Sequence, residues 1–452
     1  MDEDAGRARE LLERLCRQPS MAAEGVGIDE MAALTDTLLR EAGFATRQLT
    51  VADAPPIVYG EQHGRAPFTL LLYNHYDVQP PGPLDLWDSP PFEPAERDGK
   101  LYARGAADNK GGIAARLAAI HALRDRDGKL PITVKWIVEG EEETGSVHFG
   151  DIIAPHAALL RTDGCLWEGG GFGAEGRPVL GLGHKGMLYV ELAARALSKD
   201  AHSMEAAILP SAAWRLVEAL GTLRDPAGRV RIPGFYDAVR EPTPAERAAL
   251  AALPDRAAYG IMGFLDGLSG TALRERAAFG PTCNIAGING GYTGAGAMGV
   301  LPARAAAKVD FRLVPDQDPK VIAAALRAHL DADGYDDVRT TVLWDAVPVL
   351  TPLDDPFARR VAAIVRAYDP DHPPLTQPLS GGTLGLLGPL RDLVGVPGLG
   401  APGNPIYGGS DAHAPNENIR LSDLPRAVDF NVYLLRALGQ TARPSTPATA
   451  IL

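Results

Sequence analysis

Three short apolar runs each break off at a cluster of polar residues, and this pattern limits the folds open to the chain most strongly. Residues 68–73, Phe-Thr-Leu-Leu-Leu-Tyr, read as a buried strand that stops at Asn74-His75-Tyr76-Asp77. Residues 132–138 read as a second strand, ending at Glu139-Gly140-Glu141-Glu142-Glu143. Residues 157–161 read as a third, running into Thr162-Asp163. An Ala/Leu/Ile-rich helix follows Asp108-Asn109-Lys110-Gly111-Gly112 and reaches about Leu123. Alternating strands and helices define an α/β fold, and in open α/β sheets ligands sit outside the carboxyl ends of the strands. The polar residues at these ends therefore read as one site.

At 452 residues the chain is too long for one hydrophobic core and suits two domains. Its character changes near Gly183-His184-Lys185-Gly186. Residues 187–196 alternate like a strand with one wet face. An amphipathic helix follows, with Ser211 as its cap and Trp214, Val217 and Leu220 on one side, ended by Gly221. A long Arg/Glu/Ala segment then runs to about residue 280. Residues 307–314 alternate again, placing Val309, Phe311 and Leu313 inward and Arg312 on the opposite face. Asp318-Pro319 starts a helix, a capping residue followed by proline at the first helical position. The α/β pattern resumes from about residue 350. The reading is a catalytic domain of residues 1–186 and 350–452 around a central mixed sheet, with residues 187–349 inserted as a small α+β domain.

Charge and cysteine usage narrow the function. The formal net charge is -13, and no Lys/Arg cluster interrupts it, so nucleic acid and anionic membranes are excluded as expected partners. No apolar run is long enough to span a bilayer. Cys16, Cys165 and Cys283 lie far apart without a Cys-x-x-Cys pair, which offers no thiolate zinc site and fits a reducing, cytoplasmic setting. Two stretches, 181–186 and 398–403, match Gly-x-Gly-x-x-Gly, but neither is followed by a helix and the second contains Pro402, so neither reads as a dinucleotide fingerprint.

The histidines and carboxylates carry the chemistry. His75 and His413 lie in Gly/Pro-rich contexts, and Asp77 is placed two residues beyond His75 to hold that ring in one tautomer. Asp108, Glu142, Glu143 and Asp163 add carboxylates at element ends. A mixed His/carboxylate set suits zinc. Each residue alone has a plain reading, as a surface histidine, a solvated turn or a helix cap; the combination points to a metal site.

Four ordered stretches resemble the di-zinc metallopeptidases that include carnosinases, glutamate carboxypeptidase, aminoacylases and succinyl-diaminopimelate desuccinylase. They are His75-Tyr76-Asp77-Val78-Gln79-Pro80, Arg104-Gly105-Ala106-Ala107-Asp108-Asn109-Lys110-Gly111, Glu139-Gly140-Glu141-Glu142-Glu143-Thr144-Gly145-Ser146 and Ser410-Asp411-Ala412-His413-Ala414-Pro415-Asn416-Glu417. The resemblance implies two Zn2+, with Mn2+ or Co2+ as possible substitutes, and Asp108 bridging them. It implies His75 and Asp163 on one metal, with nearby Glu168 competing for the place of Asp163, and Glu143 and His413 on the other. It further implies Glu142 as general base and a cis peptide bond at Asp108–Asn109.

By the same resemblance the inserted section is a lid and dimerisation domain of a homodimer, whose His202 reaches across to the scissile carbonyl. Arg312 would hold a substrate carboxylate, Gly381, Gly382 and Thr383 would contact the substrate backbone, and Asn284 resembles the deacylase branches. Carnosinases carry Glu immediately before the Gly-Gly turn, where it binds a free amine; here that position is Ser380. The expected activity is hydrolysis of the amide bond in a dipeptide or similar carboxylate-bearing small molecule. An N-acyl-amino-acid deacylase is the alternative, followed by a carbamoyl-amino-acid hydrolase and, from another class, a binding module that has lost the chemistry.

Overall fold

A computed structural model describes residues 2–173, 176–254 and 263–440. Part of the Arg/Glu/Ala segment and the last twelve residues of the expected catalytic domain lie outside them. An eight-stranded sheet has the order Ala45–Leu49, Ile57–Gln62, Ile132–Glu139, Ala66–His75, Gly164–Gly170, Gly398–Ala401, Val179–Gly181, Leu375–Gln377. It is mixed. The Ala66–His75 strand runs parallel to both of its neighbours, while Ile57–Gln62 pairs antiparallel with Ile132–Glu139. The central strands are continuous apolar runs because the sheet is covered on both faces: Leu70, Leu71, Val134, Trp136 and Ile137 are all buried. The helices Asp2–Arg17, Lys110–Asp127 and Asp423–Gly439 pack against one another in the same core.

Two of the three expected strands lie where their apolar runs place them, and the first extends to include His75 itself. The third does not. Residues 157–161 form a turn after a short 3-10 helix, Ala154–His156, and the strand is Gly164–Gly170. Thr162 and Asp163 anchor its amino end: Thr162 Oγ1 donates to the Thr69 carbonyl, and the Thr69 N–H donates to Asp163 Oδ2 at 2.7 Å. Because this strand is parallel to Ala66–His75, its carboxyl end at Glu168 faces the site, and Asp163 sits at the opposite end.

A second, four-stranded antiparallel sheet has the order Asn284–Gly290, Arg304–Leu313, Gly186–Arg195, Arg339–Ala346. It encloses its own core, with members from Leu188 to Val338, whereas the first core draws on residues from Ala8 to Leu182 and again from Phe357 to Leu438. Val309, Phe311 and Leu313 point into it, as alternation predicts. The helix Ala212–Thr222 is capped by Ser211, which accepts the Trp214 N–H, and Asp318 caps Pro319–Ala332 by accepting the Lys320 N–H. The face of the Ala212–Thr222 helix differs from expectation. Ala212, Leu216, Ala219 and Leu220 are buried, while Trp214 and Val217 are exposed. Met204 and Ile208, shortly before this helix, are exposed as well.

Candidate metal centre

Parallel strands deliver two parts of the centre. His75 ends one strand and Glu168 lies near the end of its neighbour. His75 Nε2 is 3.1 Å from Asp108 Oδ1 and 3.0 Å from Glu168 Oε2. The other oxygen of Asp108, Oδ2, lies 3.2 Å from His413 Nε2, which is 3.1 Å from Glu143 Oε2. Two groups of possible metal ligands result, His75–Asp108–Glu168 and Asp108–Glu143–His413, with Asp108 common to both. Asp163 belongs to neither, and its expected place is taken by Glu168.

The surrounding residues fix this arrangement. His75 Nδ1 is 3.0 Å from the Asp77 carbonyl, an acceptor that turns Nε2 towards the cluster, where a cation in place of the proton would meet its lone pair. The Asp77 carboxylate accepts the N–H groups of Glu142 at 3.2 Å and Glu143 at 2.9 Å, so it holds the 3-10 turn Glu142–Thr144 rather than only the imidazole. Gln79 Nε2 donates to Glu143 Oε2. The peptide bond Asp108–Asn109 is cis. Buried Glu417 accepts the N–H groups of Gly105, Ala107 and Asp108 and pairs with Arg104 at 2.7 Å, fastening the loop that carries Asp108. Glu417 closes the fourth sequence stretch, but its role is set by residues more than 300 positions away; only its acidic character was visible beforehand.

The electrostatics fit a cation. Burial alone would lower His75, yet Glu168, with bonds to Asp108 and Asp77, carries it well above the ordinary imidazole range. Bonds to Asp108 and then Glu143 push His413 up to about 10. Burial, then the Glu168 carboxylate, drives Glu142 well above the usual carboxylate value, and burial raises Glu168 as well. Asp108 goes the other way: burial would raise it, but the bonds from His413 and His75 hold it below the carboxylate range. Close-set carboxylates thus draw protons onto the imidazoles, a demand for positive charge that a divalent ion meets directly. Glu168 Oε2 gives the geometric test. It is buried, and no donor reaches it with hydrogen-bonding geometry, because His75 Nε2 already faces Asp108. Oxygen and imidazole donors in such a set suit zinc and its substitutes.

The expected substrate residues are less gathered. Arg312 is half-buried and its Nη1 donates to Thr383 Oγ1 at 2.9 Å, which brings those two together. Gly381 and Gly382 lie in the same turn, where the Gly382 N–H donates to Ser380 Oγ, itself 3.0 Å from His184 Nδ1. Burial pushes His184 down to about 4, so this pair is uncharged at neutral pH. Asn284 is exposed and donates to Asp310 Oδ2. His202 is exposed too; its Nδ1 accepts the Met204 N–H, and among the described residues no contact joins it to the cluster.

A mixed α/β sheet that gathers two histidine–carboxylate groups around one shared aspartate defines a metal-binding hydrolase. Residues 71–437 match the model of peptidase family M20/M25/M40, and the chain belongs to that family. It is 30% identical to a Beta-Ala-His dipeptidase of Rattus norvegicus over 341 residues, covering 70% of this chain and 68% of that one. It is 32% identical to a Cys-Gly metallodipeptidase of Candida albicans over 324 residues, 68% of this chain and 66% of that one. These alignments span about two thirds of either relative. Among solved structures, an M20 family metallo-carboxypeptidase of Sulfolobus solfataricus superposes with a TM-score of 0.90 at 36% identity, over 96% of this chain and 99% of that one. Among the described residues no helix is long and apolar enough to cross a membrane.

Proposed function

We propose that this chain is a metal-dependent peptidase that hydrolyses the amide bond of dipeptides or similar small substrates carrying a free carboxylate. The observation that carries the reading is the division of Asp108, whose two oxygens face histidines of two different ligand groups. His75, Asp108 and Glu168 would hold one Zn2+, and Asp108, Glu143 and His413 the other, with Mn2+ or Co2+ as substitutes. When bound, such ions make water acidic and polarise a carbonyl. Glu142, whose Oε2 is 4.0 Å from His75 Nε2, takes the proton from the attacking water and returns it to the leaving nitrogen. Burial, then the Glu168 carboxylate, raises its proton affinity, which suits a group that must accept a proton before it donates one. Arg312 and Thr383 receive the substrate carboxylate.

Residues 187–349 act as the lid and dimerisation domain inserted between residues 1–186 and 350–452. His202 then serves the neighbouring subunit's scissile carbonyl in a homodimer, Asn284 contributes to substrate binding, and the exposed apolar side chains around Trp214 supply the contact. Three buried cysteines outside any disulfide suit a cytoplasmic enzyme.

A second reading keeps the metals and changes the substrate. The uncharged Ser380–His184 pair beside the Gly381-Gly382 turn offers no anionic partner for an ammonium group, which favours N-acylated or N-terminally extended substrates, and a metallo-carboxypeptidase is among the similar structures. Rates on a dipeptide, its N-acetyl counterpart, a tripeptide and a ureido analogue, each before and after chelation, separate the readings. Preference for the free dipeptide supports the first. Preference for blocked or longer substrates replaces it with the second, and activity indifferent to chelation removes both.

A further inference from the structure

The turn that carries Glu142 and Glu143 is held at both ends. Asp77 holds its amino end through the two N–H bonds described above. Its carboxyl end is Gly145, whose N–H donates to the Glu142 carbonyl at 2.8 Å and whose φ is +98°. The Gly145 carbonyl in turn accepts the indole N–H of Trp344 at 3.0 Å. Trp344 belongs to the other sheet, on the Arg339–Ala346 strand.

Two features show that this contact is built rather than incidental. A Cβ at Gly145 would stand 2.8 Å from two atoms of the Trp344 ring, so glycine is needed for the approach as well as for the positive φ. The strand also departs from regular pairing at this point. Tyr189 faces Trp344 and the next residue, Val190, faces Val342, which leaves Leu343 as an extra residue. A bulge of this kind re-aims the neighbouring side chain: Val342 and Leu343 are exposed, and Trp344 turns inward to Gly145.

The same turn is touched from the substrate side. A Cβ on Gly385 would lie 2.4 Å from the Gly145 carbonyl oxygen, so the two backbones are in close contact. Gly385 is two residues from Thr383, the partner of Arg312, and Arg312 lies on the second sheet with Trp344. A closed circuit therefore runs from Arg312 through Thr383 and Gly385 to Gly145, and back through Trp344 to the sheet that carries Arg312.

We propose that Trp344 is a positioning residue that sets the Glu142–Glu143 turn from the second sheet, so that the placement of Glu142 depends on where that sheet stands. This rests on the reading of Glu142 as general base. A small displacement of a reacting group is costly in rate even when binding is intact, so the contact acts on turnover and not on affinity.

The test is Trp344→Phe, which keeps a ring and removes the N–H, with Leu343→Ala as a control on the exposed neighbour. Two quantities are read on each protein: kcat and KM with metal content verified, and hydrogen exchange of the amides of residues 142–146. In Trp344→Phe, kcat is expected to fall about ten- to a hundredfold with KM and metal content unchanged, and the turn amides to exchange faster. Leu343→Ala is expected to match the wild type. Unchanged exchange in Trp344→Phe overturns the proposal, as does unchanged kcat in an active enzyme. A wild type inactive on every substrate ends the functional reading instead, and exchange alone then decides the coupling.

Discussion

The carboxyl ends of the eight-stranded sheet and the outer surface of the four-stranded sheet are finished to different degrees. At the strand ends each group is held by something else: Asp77 fixes the Glu142 turn, Glu417 fixes the Asp108 loop, and Gln79 fixes Glu143. In the inserted section, Asn284 on the second sheet and His202 on a separate two-stranded ribbon are exposed, and the side chain of each has one hydrogen bond, to a residue of its own region. The comparison teaches where the cost of organisation falls. The candidate metal centre is pre-organised within one chain, so ions would bind to a site already shaped by folding. On the proposed reading, recognition is completed by movement of the second sheet or by a second copy of the chain.

The sharpest break in that comparison comes from Glu142→Gln. If the base acts within a pre-built centre, kcat falls by about 10²–10⁴ while both metals stay bound. Metal loss in this variant would place Glu142 among the ligands. On the unfinished side, His202→Ala is expected to cost about 10²–10³ in kcat with no change in thermal stability. Trp214→Glu, which puts a charge among those exposed apolar side chains, should reproduce that loss and yield monomers in light scattering; an active monomer would remove His202 from the reaction.

Smaller effects distinguish the two ends of one strand. Glu168→Gln is expected to lower metal content towards one ion per chain. Asp163→Asn should leave two ions in place and cost only about 1 kcal/mol of stability through the weakened bond from Thr69. Equal metal loss in both variants would mean that the strand, rather than Glu168, is what the site requires.

A last test, of pH dependence, lies beneath the cluster. Burial raises Glu139 to about 8, against the bonds from Tyr73 and Ser146 that favour its charged form. A carboxyl raised on folding binds protons more tightly than in the unfolded chain, so its contribution is complete below about 4.5 and is lost as pH rises towards about 8. In chelated protein, wild type should therefore lose stability relative to Glu139→Gln across that window, by at most about 1.4 kcal/mol per pH unit. A difference between the two that is flat with pH would show that Glu139 is ionised throughout.

Much of the centre was legible in the sequence because its parts are local. His75 follows its strand directly, Glu142 and Glu143 follow theirs, and a motif around Asp108 or His413 keeps its meaning wherever the chain goes. The strand expected to run into Asp163 lies instead at Gly164–Gly170, for a physical reason. Residues 157–161 and 164–167 are both short and apolar, and periodicity alone cannot tell a strand from the turn before it. The reversed face of the Ala212–Thr222 helix has a similar cause. Trp214, Val217 and Leu220 form an apolar stripe, but Ala212, Leu216 and Ala219 form another, and only packing selects between them. Glu417 and Trp344 act across the fold, one through a loop more than 300 residues away and the other through a bulge, and no local pattern announces either.

Metal content of the purified protein, measured together with peptide cleavage before and after chelation, tests the central claim most directly. The account predicts two ions per chain, cleavage abolished by the chelator, and recovery when zinc is restored. A chain that retains no metal after reconstitution, or that cleaves equally well without it, would contradict the assignment of Asp108 as the carboxylate shared by two metal sites.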